Sequence, residues 1–156
     1  MTMRERSLIG LVGAMFFLLA VGIGGMYFAD AAVATDFTAK NIAPCLAHPF
    51  GTDWMGRDMF ARTLRGLTLS IGLGIVSAAV SAGIALILGI AAAVLGKKVD
   101  AVISFLIDLV LGIPHILLLI LVTVALGRGF FGVAVGIALT HWPALTRVVR
   151  AEVIQL

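Results

Sequence analysis

Charge is scarce in this chain: 12% of its 156 residues are Asp, Glu, Lys or Arg, while 62% are hydrophobic. A soluble domain carries roughly a quarter charged residues, so a water-soluble globule is excluded and an integral membrane protein is expected. Cysteine occurs once, at Cys45, which excludes an internal disulfide and leaves the redox compartment unread. The three histidines lie in different segments, and the cysteine stands near His48 alone. Cys45 and His48 lack the third ligand or carboxylate cluster that a metal site needs, so no metal is expected. No second carboxylate accompanies Asp108, and no nucleophile and base stand at paired spacing, which argues against an intramembrane enzyme. Gly89 to Lys97 imitates a phosphate loop, but six residues separate the glycines and Lys98 stands where Ser or Thr is required. The chain therefore has no nucleotide site of its own, and no cofactor is expected. The net charge of +3 and pI near 9.6 come from Lys and Arg spread over every loop. That pattern suits acidic lipid headgroups and not nucleic acid.

What is present is a series of long apolar runs. Residues 1–7 carry Arg4, Glu5 and Arg6, and 8–29 follow without a charge, long enough for a first transmembrane helix. Ala29-Asp30-Ala31 imitates a signal-peptide cleavage site, but the run exceeds the usual apolar core of such a peptide, so an uncleaved anchor is expected. Residues 30–66 form the one sizeable polar segment. Residues 67–156 hold further spans over about 67–95, 101–126 and 130–146, which makes an all-α membrane protein of about four spans.

Of all the charged residues only Asp108 falls inside a long apolar run, where an exposed carboxylate is costly. One reading makes it a gating or pathway residue and the other a hydrogen-bonded packing residue. Pro114 removes a backbone hydrogen bond and should kink its helix, giving His115 access to freed carbonyls. Ser70, Gly74, Ala78 and Ala82 fall on one stripe of the second span, and Ser77, Ser81, Ala85, Gly89 and Ala93 on an adjacent one. Gly132, Gly136 and Thr140 repeat the spacing in the fourth span. Small residues at every fourth position let helices approach closely in lipid.

The densest cluster of charge, aromatics and glycine is His48 to Leu64. Asp53 and Arg57 stand four apart, as do Asp58 and Arg62, so on a helix each carboxylate precedes its guanidinium by one turn. Thr52 or Asp53 is placed to cap the first turn, and Met55, Met59, Phe60 and Leu64 share one side. This predicts a short amphipathic helix at a membrane surface, with a solvated loop helix as the alternative that spacing alone does not separate.

The residues Gly51, Thr52, Asp53, Gly56, Arg57, Asp58 and Arg62, read as Gly-Thr-Asp-x-x-Gly-Arg-Asp-x-x-x-Arg, resemble the segment after the first span in permeases of the dipeptide, oligopeptide and nickel family of ABC importers. Ala61 stands where that family usually has Ser, and Thr68 where an Arg is frequent. The Asp108-x5-Pro114 spacing is also similar, with Phe105 replacing a common Arg. Trp142, Arg147, Arg150 and Glu152 match the lead-in to the cytoplasmic loop whose Glu-Ala-Ala motif docks into the ATPase. That loop and the two spans the resemblance implies after it are absent from the 156 residues, so a fragment or a truncated gene product is expected.

The resemblance implies a polytopic bundle of the type I ABC importer permease kind. Its partners would be a second permease subunit, two ATPase subunits, an external solute-binding protein and the lipid bilayer. It implies import of peptides or nickel by alternating access, with ATP hydrolysed in the partner subunits and not in this chain. It also implies residence in the cell (inner or plasma) membrane with a cytoplasmic N-terminus and residues 30–66 outside. Loop charges alone are nearly balanced between the two sides. The alternative is a truncated membrane scaffold or assembly protein without transport activity.

Overall fold

With no water in the hydrocarbon to satisfy backbone groups, charge-free runs must close their hydrogen bonds internally as helices. The structure, a computed structural model, describes residues 3–155. It contains five α-helices: α1 (Met3–Tyr27), α2 (Met59–Val94), α3 (Lys97–Leu111), α4 (His115–Ala125) and α5 (Phe130–Gln155). Among the described residues the only extended pairing is an isolated bridge between Thr52 and Asp58. Helices α1, α2 and α5 are each long and apolar enough to cross a membrane, and α3 with α4 forms a fourth candidate as a bent pair. The protein is an all-α, multi-pass membrane protein. Its contacts divide it into two compact units, residues 1–72 and 73–156, and α2 runs through the division.

In the first unit α1 is almost wholly exposed, with 11% of its apolar window buried against 44% for α5. Its one packed patch lies near its C-terminal end. There Thr68 Oγ1 lies 3.0 Å from both the Val21 and the Leu64 carbonyl oxygens, so one hydroxyl serves both helices. Gly25 is buried against the same spot, and a Cβ on it would collide with the Thr68 hydroxyl. Close helix approach of this kind needs a small residue. Phe60, in the first turn of α2, meets Phe28 and Phe50 edge to face at 6.0 and 5.3 Å.

The separate amphipathic helix expected over the His48–Leu64 stretch does not form. Residues 40–58 are turns and bends apart from the Thr52–Asp58 bridge, and α2 begins at Met59 and continues unbroken to Val94. Gly51 and Gly56 hold φ of 70° and 75°, values that take the chain out of any right-handed helix.

In the second unit α5 lies between the later half of α2 and the pair α3–α4. Ser77, Ser81, Ala85 and Gly89 of α2 are buried, whereas the neighbouring stripe of Ser70, Gly74, Ala78 and Ala82 is exposed. Ser77 Oγ donates to the Ala134 carbonyl and Ser81 Oγ to the Ala138 carbonyl, both at 3.1 Å. Further along, Gly89 meets Val149 and the Thr146 carbonyl. The other side of α5 presents Gly132 and Gly136 to α4, against the carbonyls of Thr123 and Leu119. Ala92, Ile103, Ile107 and Trp142 close the core between α2, α3 and α5. Pro143 is buried inside α5 without ending it, and the helix continues past residue 146 to Gln155.

The expected third span over 101–126 is a break and not a kinked single helix. Helices α3 and α4 meet at 88°. Pro114 cannot donate to the preceding turn, and its ring disfavours helical backbone at Ile113. The Gly112 amide still reaches the Asp108 carbonyl at 2.8 Å, after which Ile113 bonds to Val110 at 3.3 Å and the turn closes. Pro114 then serves as N-cap of α4.

Candidate functional site

Two constellations concentrate the polar chemistry, one in each unit. In the first, the motif residues 51–62 fold into a clamp centred on Asp53. Its Oδ1 accepts from the backbone amides of Met55 (2.8 Å) and Arg57 (3.0 Å), and its Oδ2 accepts from Arg57 Nε (2.8 Å) and Arg62 (2.7 Å). The side chains of Arg57 and Arg62 thus share one carboxylate oxygen. Thr52, which is buried, accepts from the Ile42 amide at 2.9 Å and donates to the Ala39 carbonyl at 2.5 Å, fastening residues 39–42 to the motif. Gly56 sits where a Cβ would strike the Asp36 carbonyl. Asp58 caps α2 by accepting from the Ala61 amide at 2.9 Å, and its other oxygen lies 2.8 Å from His48 Nδ1.

The pairing therefore departs from the expected one. Asp53 does meet Arg57, but within a turn; Arg62 reaches back nine positions to Asp53, while Asp58 takes the cap and His48. The cap of α2 is Asp58, not Thr52 or Asp53. Partial burial pushes the Asp53 carboxyl up, but the amide and guanidinium of Arg57 and the amide of Met55 outweigh it and hold the group at about 2, against 3.8 ordinarily. Burial likewise pushes Asp58 up, and the Ala61 amide and the His48 ring overcome it, leaving this carboxyl below its usual value. Both carboxylates are ionised at neutral pH, and the clamp is a charge-assisted network.

In the second unit the charged residues near the end of α5 reach across to α3. Arg150 makes a two-pronged contact with Asp100, 2.6 Å on each oxygen, and Arg147 bonds Asp108 at 2.5 Å. Asp108 is exposed, and its contact with Arg147 answers the demand of a carboxylate in an apolar run for a partner. Asp100 was not singled out by the sequence. The available signal was that Arg147 and Arg150, three apart, share a helix face. Trp142 is buried in the core and Glu152 is exposed.

At the α3–α4 break, Val110, Ile113, Pro114, His115, Leu118 and Thr140 line a cavity of about 140 Å³. The exposed rings of His115 and His141 meet edge to face at 5.3 Å, and His141 Nδ1 lies 2.8 Å from the Ile137 carbonyl. Among the described residues no group of three or more His, Cys, Asp or Glu is arranged to hold a metal ion.

Helices bound through small residues and shared hydroxyls, one broken span, and an ion-paired loop between spans define a polytopic membrane protein. The chain belongs to the family of binding-protein-dependent transport system inner membrane components, whose sequence pattern matches residues 85–156. It is 31% identical over 150 residues to the dipeptide transport system permease protein DppC of Bacillus subtilis, covering 96% of this chain and 47% of that protein. It is 39% identical over 119 residues to the probable D,D-dipeptide transport system permease protein DdpC of Escherichia coli, covering 76% of this chain and 40% of that protein. The oligopeptide transport system permease protein OppC of B. subtilis is 29% identical over 150 residues, with 96% and 49% covered. The chain thus spans about half the length, or somewhat less, of these curated relatives.

Proposed function

We propose that this chain forms part of the permease subunit of an ATP-driven, binding-protein-dependent importer, and that its solutes are peptides. The observation that carries this reading is the pair of ion bridges, Arg147–Asp108 and Arg150–Asp100, that ties the end of α5 to α3. In permeases of the family, the segment that Trp142, Arg147, Arg150 and Glu152 resemble leads into the loop that receives the ATPase. A push delivered there would reach α3 through the two bridges, and the break at Pro114 would act as the joint between α3 and the α4 that packs on α5 through Gly132 and Gly136. Alternating access needs such a rigid part beside a swivel. The names of the relatives favour peptides over nickel as cargo.

On this reading the N-terminus is cytoplasmic and residues 30–66 lie outside, where the clamp around Asp53 holds a firm surface for the solute-binding protein. A second permease subunit and two ATPase subunits complete the machine. The test is co-expression of the protein with the candidate permease and ATPase subunits, followed by reconstitution and ATP-dependent uptake of a labelled dipeptide. Uptake that falls at least tenfold with Arg150→Gln, while the complex still assembles, is the expected result. A chain that purifies alone and alters no uptake would instead be a membrane scaffold, and the proposal would be wrong.

A further inference from the structure

A second feature of the first unit belongs neither to the clamp's own bonding nor to the transport reading. On α2, Arg62, Arg65 and Leu69 fall at three- and four-residue spacings and so share a face. With Arg57, and with Ala32 and Val33 from the turn after α1, they line a depression of about 240 Å³. Arg57 and Arg62 are held by Asp53 at 2.8 and 2.7 Å, yet each guanidinium has further N–H groups to offer. Among the described residues no carboxylate bridges to Arg65. Three guanidiniums against one carboxylate leave an excess of positive charge, with Arg57 and Arg62 already oriented by Asp53.

The sequence puts this depression at the edge of the apolar runs. The uncharged run of α1 ends at Ala29 and that of α2 begins at Leu67, so the arginines stand where the chain leaves the hydrocarbon. Val33 and Leu69 are exposed apolar side chains on the same rim, 70% and 43% accessible for Val33 and Leu69 respectively. A small soluble anion would satisfy the arginines and make no use of these two side chains. A ligand with an anionic head and an apolar tail satisfies both.

We infer that the depression formed by Arg57, Arg62 and Arg65 binds the phosphate of an anionic phospholipid, with Val33 and Leu69 against the start of its acyl chains. Guanidinium forks suit phosphate oxygens, and each arginine near a charged membrane surface adds about a fivefold gain in binding. The site would pin the start of α2 at the headgroup level.

The test uses native mass spectrometry of the full chain released from detergent micelles that contain phosphatidylglycerol. The wild type should retain one phosphatidylglycerol, and Arg65→Gln should retain it about five- to tenfold less. Gly66→Leu gives a second variant: a side chain added at Gly66 meets open space, so it obstructs the depression without removing a charge. It should lower retention while thermal stability is kept. Arg128→Gln, in the turn before α5, should change nothing. Equal retention by Arg65→Gln and wild type would overturn the inference, as would equal losses from Arg65→Gln and Arg128→Gln, which would mean diffuse attraction. Displacement of the lipid by millimolar inorganic phosphate would mark a site for free phosphate and would also overturn it.

Discussion

Gly56→Ala is the sharpest probe of the Asp53 clamp, because the cost can be divided into parts. Gly56 holds φ of 75°, and placing an L side chain in left-handed backbone costs about 1–2 kcal/mol. A Cβ there also runs into the Asp36 carbonyl, and relieving that collision by moving the backbone costs about 1–3 kcal/mol more. The expected loss is near 3 kcal/mol, roughly a hundredfold in the opening equilibrium of the loop.

Gly96 supplies the control. Its φ is 90°, but a Cβ there meets nothing within 4 Å, so Gly96→Ala should cost only about 1–2 kcal/mol and only around the start of α3. Hydrogen exchange read by mass spectrometry measures both. The amides of Asn41, Thr52, Gly56 and Met59 donate to Asp53, Ile42, Asp53 and Gly51 at 3.1, 3.0, 2.9 and 3.0 Å, and their peptides report the loop. Gly56→Ala should speed their exchange roughly a hundredfold under conditions where opening is at equilibrium, and Gly96→Ala should leave them unchanged. Equal exchange at these amides in the two variants would refute the close approach of Gly56 to Asp36 and with it the clamp.

The remaining expectations concern acid, the helix seam and the α3–α5 bridges. Asp53 titrates at about 2 in the folded loop against 3.8 unfolded, so its stabilisation is complete above the unfolded value and is lost as pH falls through the folded one. Fluorescence of the loop's Trp54, compared between wild type and Asp53→Asn, should show that transition only below about pH 4; loss of loop order at neutral pH would contradict it. Ser77→Ala and Ser81→Ala should each cost about 0.6 kcal/mol in thermal unfolding in detergent, whereas Ser81→Leu should cost about 1–3 kcal/mol by forcing α2 from α5. Asp100→Asn should lower uptake in the reconstituted complex as Arg150→Gln does, with assembly kept, and Asp100→Arg combined with Arg150→Asp should recover uptake in part; no recovery would count against the bridge.

Composition carried the fold class because hydrocarbon tolerates so few arrangements: uncharged runs of this length close into helices whatever their order. The loop was harder to read. Four-residue spacing brought Asp53 and Arg57 together in both the expected helix and the observed turn, so the partner was legible and the geometry was not. Gly56 decided the difference through its backbone angle, and a sequence displays glycine without displaying φ. Pro114 announced a disturbance, but whether a proline bends a helix or divides it depends on the neighbours that receive the freed carbonyls. The bridges from Arg147 and Arg150 join positions 39 and 50 residues apart, a distance at which spacing says nothing. What remained available was the physical demand of Asp108 for a partner, which named a need without naming its answer.

One property of α2 reaches beyond these sites. Its 36 residues correspond to a helical rise of about 54 Å in total, against a hydrocarbon layer of about 30 Å. Such a helix must lean or project, and the surrounding lipid sets how far. A thicker bilayer would draw it upright and a thinner one would lay it over, so the tilt of α2 should follow the thickness of the membrane.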